Sequence, residues 1–372
     1  MAKKAYIGVN GVARKIKKGY VGVNGVARKI KKAYIGIGGV ARPCWSAGGI
    51  EYYGSITPLS VARSDLASST IGNYALFAGG ETSSQKATVD AYDTSLTRTS
   101  PTELSLGRSR MAASSNGTHA LFGGGYRNGS CYDVVNAYDK SLTLTNATDL
   151  SKSRYQFAAT AVGDYILFGG GSYSSSTYDT VDAYNKSLTR STPTALSKAR
   201  YDHAATYVGN YALFGGGYAP SDSKVVSTVD AYNKSLTRSI PTGLSLERDR
   251  LSAASTGNYA LFAGGRQPAI QRKSIIDVYD TSLTRTTTVE LSVARADLKG
   301  ATCGNYAIFD GGTNTKVVDA FDSSLTRIVP KALTNNHYYG ALGTIDNYAL
   351  FAGGYVSSSY VNNVEAYMII PE

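Results

Sequence analysis

The chain has 372 residues, a formal net charge of +11, 29 Tyr and 40 Gly. Length alone suits about two domains, and plentiful Tyr, Gly, Thr, Ser and Val without a long helical period favours β structure. Cys44, Cys131 and Cys303 are odd in number and isolated, so neither a disulfide framework nor a zinc site is expected. No stretch approaches the ~20 apolar residues of a membrane span. Gly8, Asn10, Gly11 and Arg14 interrupt the apolar run after the opening MAKK too early for a secretion signal.

The charge is concentrated at the start. Residues 1–50 hold 11 Lys/Arg and no acid, leaving 27 basic and 27 acidic residues in the rest. A neutral body therefore carries a basic arm. The arm is itself repetitive: AYIGVNGVARKIKK (5–18), GYVGVNGVARKIKK (19–32) and AYIGIGGVARPCWS (33–46). Asn10-Gly11 and Asn24-Gly25 between short apolar runs predict two-residue hairpins, since both turn positions need positive φ; Gly38-Gly39 serves the third copy. Pairing Val9 with Val12, Ile7 with Arg14 and Ala5 with Ile16 gives a one-sided apolar face. Tyr6, Lys15, Tyr20, Lys29 and Tyr34 are the candidate anchoring residues. Isolated hairpins are marginal in water, so three of them suit docking onto another protein or onto copies of themselves. Lysine runs also suit phosphate, but base-reading elements are lacking and the spacing is that of a hairpin array, which argues against nucleic acid.

From residue 51 a second repeat takes over. GNYALFAGG or a relative recurs around Phe77, Phe122, Phe168, Phe214, Phe262, Phe309 and Phe351, spaced by 45, 46, 46, 48, 47 and 42 residues. A period of about 40–50 residues with paired glycines is that of a β-propeller blade. Each repeat reads as four strands: a after an arginine, b as NYALFAGG, c as TVDAYD and d as SLTRTSPTEL. The chain ends on a strand c, VEAYMII, while 52–57 matches a strand d lacking its own blade. Pairing the two closes the ring and removes free sheet edges. The expected architecture is all-β: an arm over 1–50 and a seven-bladed propeller over 51–372.

The double glycine, the following VDAYD and the arginine before strand a resemble Kelch repeats across 51–372. The strand-d tryptophan of such blades is missing; Arg98, Leu144, Arg190, Arg238, Arg285 and Arg327 stand in its place. The tandem AYIGVNGVARK copies resemble, more weakly, tail or other virion proteins of phages infecting gut Firmicutes. That resemblance implies a structural protein of the virion, made in the bacterial cytoplasm.

Candidate binding residues follow from the repeat. The a–b turns (GNY, GDY) and c–d turns (DTSL, NKSL) hardly vary, whereas the b–c loops differ in length and sequence, and variable loops on a rigid frame carry binding. Tyr126, Tyr173, Tyr218 and Arg266 come from these loops. Arg63, Arg108, Arg154, Arg200, Arg248 and Arg295 each precede their blade's Phe by 14 residues, with His337 in that place in the last repeat. The Kelch resemblance sets strand a innermost and so puts these arginines at the channel mouth. With Asp65, Arg110, Gln156, Asp202, Arg250, Asp297 and Tyr339 two residues on, the mouth sums to +5 and would favour acidic ligands. The competing reading makes the arginines structural, bonded to carbonyls or nearby Asp. Asp90, Asp93, Asp182, Asp230 and Asp277 read as turn and strand-end residues.

His119, His203 and His337 occupy unrelated blade positions and form neither a metal set nor an acid–base pair. No cofactor, metal or catalytic residue is expected. The expectation is a non-enzymatic virion component, anchored by the arm and displaying a face for a host-surface glycan or protein. The alternatives are a cytoplasmic Kelch-like adaptor binding an acidic peptide, and a sugar-processing enzyme.

Overall fold

The computed structural model describes residues 49–370, apart from 223, 313 and 314 and the side chain of residue 270, together with the backbone of strands within 6–46. In that first segment Tyr6–Val9 pairs with Val12–Lys15, Gly19–Val23 with Val26–Ile30, and Lys32–Ile37 with Val40–Ser46. The three turn dipeptides, Ala5 and Ile16, and the side chains of Tyr6, Lys15, Tyr20, Lys29 and Tyr34 lie outside the described residues.

The rest of the chain forms seven four-stranded antiparallel sheets, which are the seven blades. Blade 1 is Ala67–Ile71 (a), Tyr74–Ala78 (b), Val89–Asp93 (c) and Arg98–Thr99 (d). Strand a of every blade neighbours strand a of the next, and Ala341–Ile345 of blade 7 returns to Ala67–Ile71, so the a strands surround the axis. Blade 7 takes its strand d from the front of the propeller: Gly49–Ile56 lies antiparallel to Val364–Ile370. The pairing starts three residues before the expected 52–57 and ends at Ile56. A bulge at Tyr53, beside Gly54 with φ +127°, shifts the register between Ala366 and Tyr367 and carries the ladder back to Gly49.

Each blade has the same core. The strand-b phenylalanine is fully buried and meets the strand-c aromatic edge to face, as in Phe168–Tyr184, with centroids 5.8 Å apart and planes at 88°. Such a pair adds about 0.5–1.5 kcal/mol beyond its buried area. The tyrosine hydroxyl then reaches the connection arriving from the preceding blade. Tyr92 donates to Thr57 O, Tyr138 to Thr102 O, Tyr184 to Thr148 O, Tyr232 to Thr194 O and Tyr279 to Thr242 O, at 2.7–2.8 Å. One side chain thus joins a blade's core to the entering chain. Blade 6 has Phe321 at this place and no hydroxyl to give.

The paired glycines permit close contact between blades. A Cβ on Gly124 (φ +61°) would lie 2.6 Å from the Phe157 ring and 2.7 Å from Arg154 O; one on Gly125 (φ +111°) would lie 2.8 Å from Ser109 O. Neither the space nor the backbone conformation admits an ordinary residue. Opposite the first glycine of six pairs sits the side chain that opens strand a or immediately precedes it, which is Leu66, Met111, Phe157, Leu251 or Leu298 in five blades. In blade 4 it is His203, which is buried, with neither ring nitrogen in a hydrogen bond of normal geometry. Burial, and then the charge of Arg200, holds this imidazole well below its usual pKa, so it is neutral. A buried polar group left unmatched costs about 1–3 kcal/mol. His203→Leu is therefore expected to stabilise the fold by a fraction of that amount, seen as a raised midpoint of urea unfolding, and a lowered midpoint would show that the imidazole has a role that leucine does not fill.

Candidate functional site

The six in-phase arginines are not at the surface. Arg63, Arg108, Arg154, Arg200, Arg248 and Arg295 are all 0% exposed. The cause lies in the register. The strand-b phenylalanine faces the strand-c acid across the ladder (Phe77 with Asp90, Phe168 with Asp182, Phe214 with Asp230, Phe262 with Asp277, Phe309 with Asp319). The Nη2 of each of the six arginines donates to its blade's phenylalanine carbonyl at 3.0–3.3 Å. In five blades it also meets the carboxylate at 2.7–2.9 Å. The placement of these arginines at the channel mouth is thus corrected: they are interior, and the structural reading describes them.

Their backbones complete a three-way link. Arg154 N donates to Tyr132 O in blade 2, its carbonyl accepts from Gly125 N of that blade at 2.9 Å, and its side chain enters blade 3. The same acceptance recurs from Gly80, Gly171, Gly217, Gly265 and Gly354, the last joining blade 7 to blade 1. The carboxylates also accept from the entering connection: Ser60, Ser151, Ser197, Ser245 and Ser292 donate backbone N–H to Asp90, Asp182, Asp230, Asp277 and Asp319. Reading these aspartates as turn and strand-end residues is likewise corrected, except for Asp93, which accepts from Ser95 N and Thr97 N in the c–d turn.

The strand-d arginines at the missing tryptophan position approach the same acids from outside. Arg98, Arg190, Arg238, Arg285 and Arg327 lie 3.0–4.0 Å from them. Blade 2 departs from this pattern at two positions together. Its acid is Asn136 and its strand-d residue is Leu144, so removal of the carboxylate coincides with removal of the outer cation. Arg108 there bonds Asn136 Oδ1 at 2.8 Å, and Asn136 Nδ2 donates to Asn146 and Ser105. Burial, opposed only by Tyr138 and the more distant Asp149, neither of which bonds it, brings the Arg108 guanidinium down to about 10. Blade 7 has His337 and Glu365 instead, 3.1 Å apart, with His337 Nδ1 2.7 Å from Gly353 O. Burial raises Glu365, but hydrogen bonds from His337, Thr334 and Tyr52 prevail and hold it at about 2.

The open site is formed by the residues two positions further on. Asp65, Arg110, Gln156, Asp202, Arg250, Asp297 and Tyr339 all have φ between 51° and 59°. That left-handed turn links neighbouring blades: Asp65 N donates to Tyr339 O, Arg110 N to Asp65 O, Asp202 N to Gln156 O, Arg250 N to Asp202 O and Asp297 N to Arg250 O, at 2.7–3.1 Å. The seven side chains line a cavity of about 430 Å³. Its charged lining is Asp65, Glu81, Asp202 and Asp297 against Arg110, Arg250 and Lys299, one negative charge in excess. The expected +5 is corrected accordingly, because the six arginines that supplied it are buried.

The b–c loops border this cavity. Bridges join Ser64 to Glu81, Ser109 to Tyr126, Tyr155 to Ser172, Tyr201 to Tyr218 and Asp249 to Arg266. Tyr126 lies against Tyr155 and Tyr218 against Tyr201, at 5.7 and 5.5 Å, and Tyr173 stays exposed. Arg266 is not a free cation, since it holds Asp249 with two bonds of 2.9 and 3.3 Å. Sequence reasoning missed that the strand-d arginines share the inner acids; the joint appearance of Asn136 and Leu144 in one blade was the signal that could have shown it.

The fold defines this chain as a seven-bladed β-propeller. Among solved structures it is similar to that of YjhT, with 12% identity, 74% of this chain and 99% of that chain covered, and a TM-score of 0.57. At that identity the likeness concerns the fold alone. No protein-family model and no curated protein matches.

The buried pair can be tested in one blade. Removing one partner of a buried ion pair costs about 3–5 kcal/mol, so Arg200→Met is expected to destabilise by that order in urea unfolding. Asp230→Asn with Arg238→Leu, which copies blade 2, is expected to cost clearly less. A wild-type midpoint for Arg200→Met would show that the pair does not hold the blades.

Proposed function

We propose that the chain is a Kelch-like, non-enzymatic phage virion component. Residues 1–50 form a hairpin arm that attaches to other virion proteins or to copies of itself, and the propeller presents its mouth and b–c loops to a host-surface glycan or protein. The observation that carries this reading is where the arm joins the ring. Gly49 pairs with Ile370, and Ile369 exchanges bonds with Asn347 of an a–b turn. Ile56 pairs with Val364, beside Gly353 and the b–c loop. The arm therefore enters on the face opposite the mouth. A particle held through the arm leaves the mouth facing outward.

Two further observations support display. The mouth keeps one backbone conformation in seven blades while its side chains differ, and a non-glycine residue in that region is strained by about 1–2 kcal/mol. Repetition that served structure alone would favour Gly or Asn there. The mouth's carboxylates each lie against an arginine, Asp65 and Glu81 at Arg110, and Asp202 and Asp297 at Arg250. That arrangement suits recognition better than proton transfer.

Purified particles are expected to contain the full chain by mass spectrometry. A variant lacking 1–48, which keeps the closing strand Gly49–Ile56, is expected to unfold at the same temperature and to be absent from particles. Absence of the full chain, or retention of the truncated one, would overturn the proposal.

A further inference from the structure

We infer that the mouth binds a glycan bearing a protonated amino group. This rests on the display reading above and narrows its ligand. The geometry of the ion pairs carries it. In the blade interiors, guanidinium and carboxylate stand 2.7–2.9 Å apart. At the mouth the separations are 3.9 and 3.8 Å from Arg110 to Asp65 and Glu81, and 3.3 and 3.6 Å from Arg250 to Asp202 and Asp297. Each mouth arginine is shared by two acids, and of the four contacts only Arg250 Nε to Asp202 Oδ2, at 3.3 Å, is a hydrogen bond, so the carboxylates keep accepting capacity toward the cavity. A compact ammonium with three donors fits that shortage, whereas a carboxylate or sulfate would add to the negative excess.

The aromatic wall is independent of the charges. Tyr339, Tyr355 and Tyr360 line the same cavity. Tyr355 and Tyr360 meet edge to face at 5.0 Å, and Tyr339 stacks on Tyr338 with centroids 3.8 Å apart. Tyr360 is fixed by donating to Thr82 O at 2.8 Å across the blade 7–blade 1 boundary. Carboxylates beside aromatic faces form the environment that recognises ammonium groups, and rigid tyrosine faces with Gln156 at the same rim suit the apolar side and the hydroxyls of a sugar ring. Asp202 adds a pH signature. Burial raises it to about 6, with Asp249 and Asp297 adding to that and Arg250 opposing. It becomes an acceptor-only carboxylate only above that value.

The test is calorimetric titration of the full chain at pH 7 with a β-1,4-linked glucosamine tetramer and with its N-acetylated counterpart, alongside adsorption of the protein to host cells. The free amine is expected to bind at least about tenfold more tightly, the worth of one charge-assisted hydrogen bond. Asp202→Asn with Asp297→Asn is expected to abolish that preference while the unfolding temperature holds, because Asn accepts the left-handed backbone. Affinity for the amine is expected to fall from pH 7 to pH 5, opposite to the direction that protonation of the ligand alone would give. Equal affinity for the two tetramers, or a preference that survives the double substitution, overturns the inference and leaves the display reading standing. Binding of neither tetramer with adsorption intact does the same. Loss of adsorption as well removes the reading on which it rests.

Discussion

A guanidinium group with no access to water sits between a phenylalanine carbonyl and a strand-c carboxylate, and the propeller's assembly depends on it. Burying that charge is costly. Desolvation lowers every one of these arginines from its ordinary pKa, and the facing acid opposes the shift. The cost is tolerable because each donor group does several tasks at once. The arginine's backbone belongs to the exit of one blade and its side chain to the core of the next. Displacing a blade would therefore strand a charge in the interior, with consequences of about 3–5 kcal/mol, rather than merely separate apolar surfaces.

From this link the other constraints follow. The arginine carbonyl accepts from the second glycine of the previous blade and lies so close to the first that it excludes a side chain there. The strand-c tyrosine, two residues from the acid on the same face, anchors the same connection. With the connection held at both ends, the next two residues are delivered to the axis in a left-handed turn, whatever their side chains. Asp, Arg, Gln and Tyr can then alternate around the mouth without disturbing the ring. Separation of a sealed ionic interior from a variable rim is what allows one repeated frame to carry an unrepeated surface.

Much of the fold was legible in the sequence because a blade is short and seven copies average out local noise. The phenylalanine period gave the number of blades, and the unpaired strand d gave the closure to within three residues. The site was less legible. Arg154 and Arg200 looked like surface cations because the sequence shows the charge and not the direction of the side chain. Asp182 looked like a strand-end residue, although its place opposite Phe168 follows directly from antiparallel register. Asp310, where other blades have Ala or Gly, gave no warning that it would be buried with one oxygen unpartnered and raised to about 6 by desolvation. The loose pairing at Arg110 and Arg250 is a matter of tenths of an ångström, which no pattern of letters encodes.

The central claim is that the arginine connection, more than the sheets alone, holds neighbouring blades together. Native-state hydrogen exchange of the amides that donate to the arginine carbonyls, on Gly80, Gly125, Gly171, Gly217, Gly265 and Gly354, addresses it most directly. If the claim holds, these six exchange only with global unfolding, as slowly as the strand-b amides of the same blades. Exchange orders of magnitude faster, through local opening between intact blades, would contradict it.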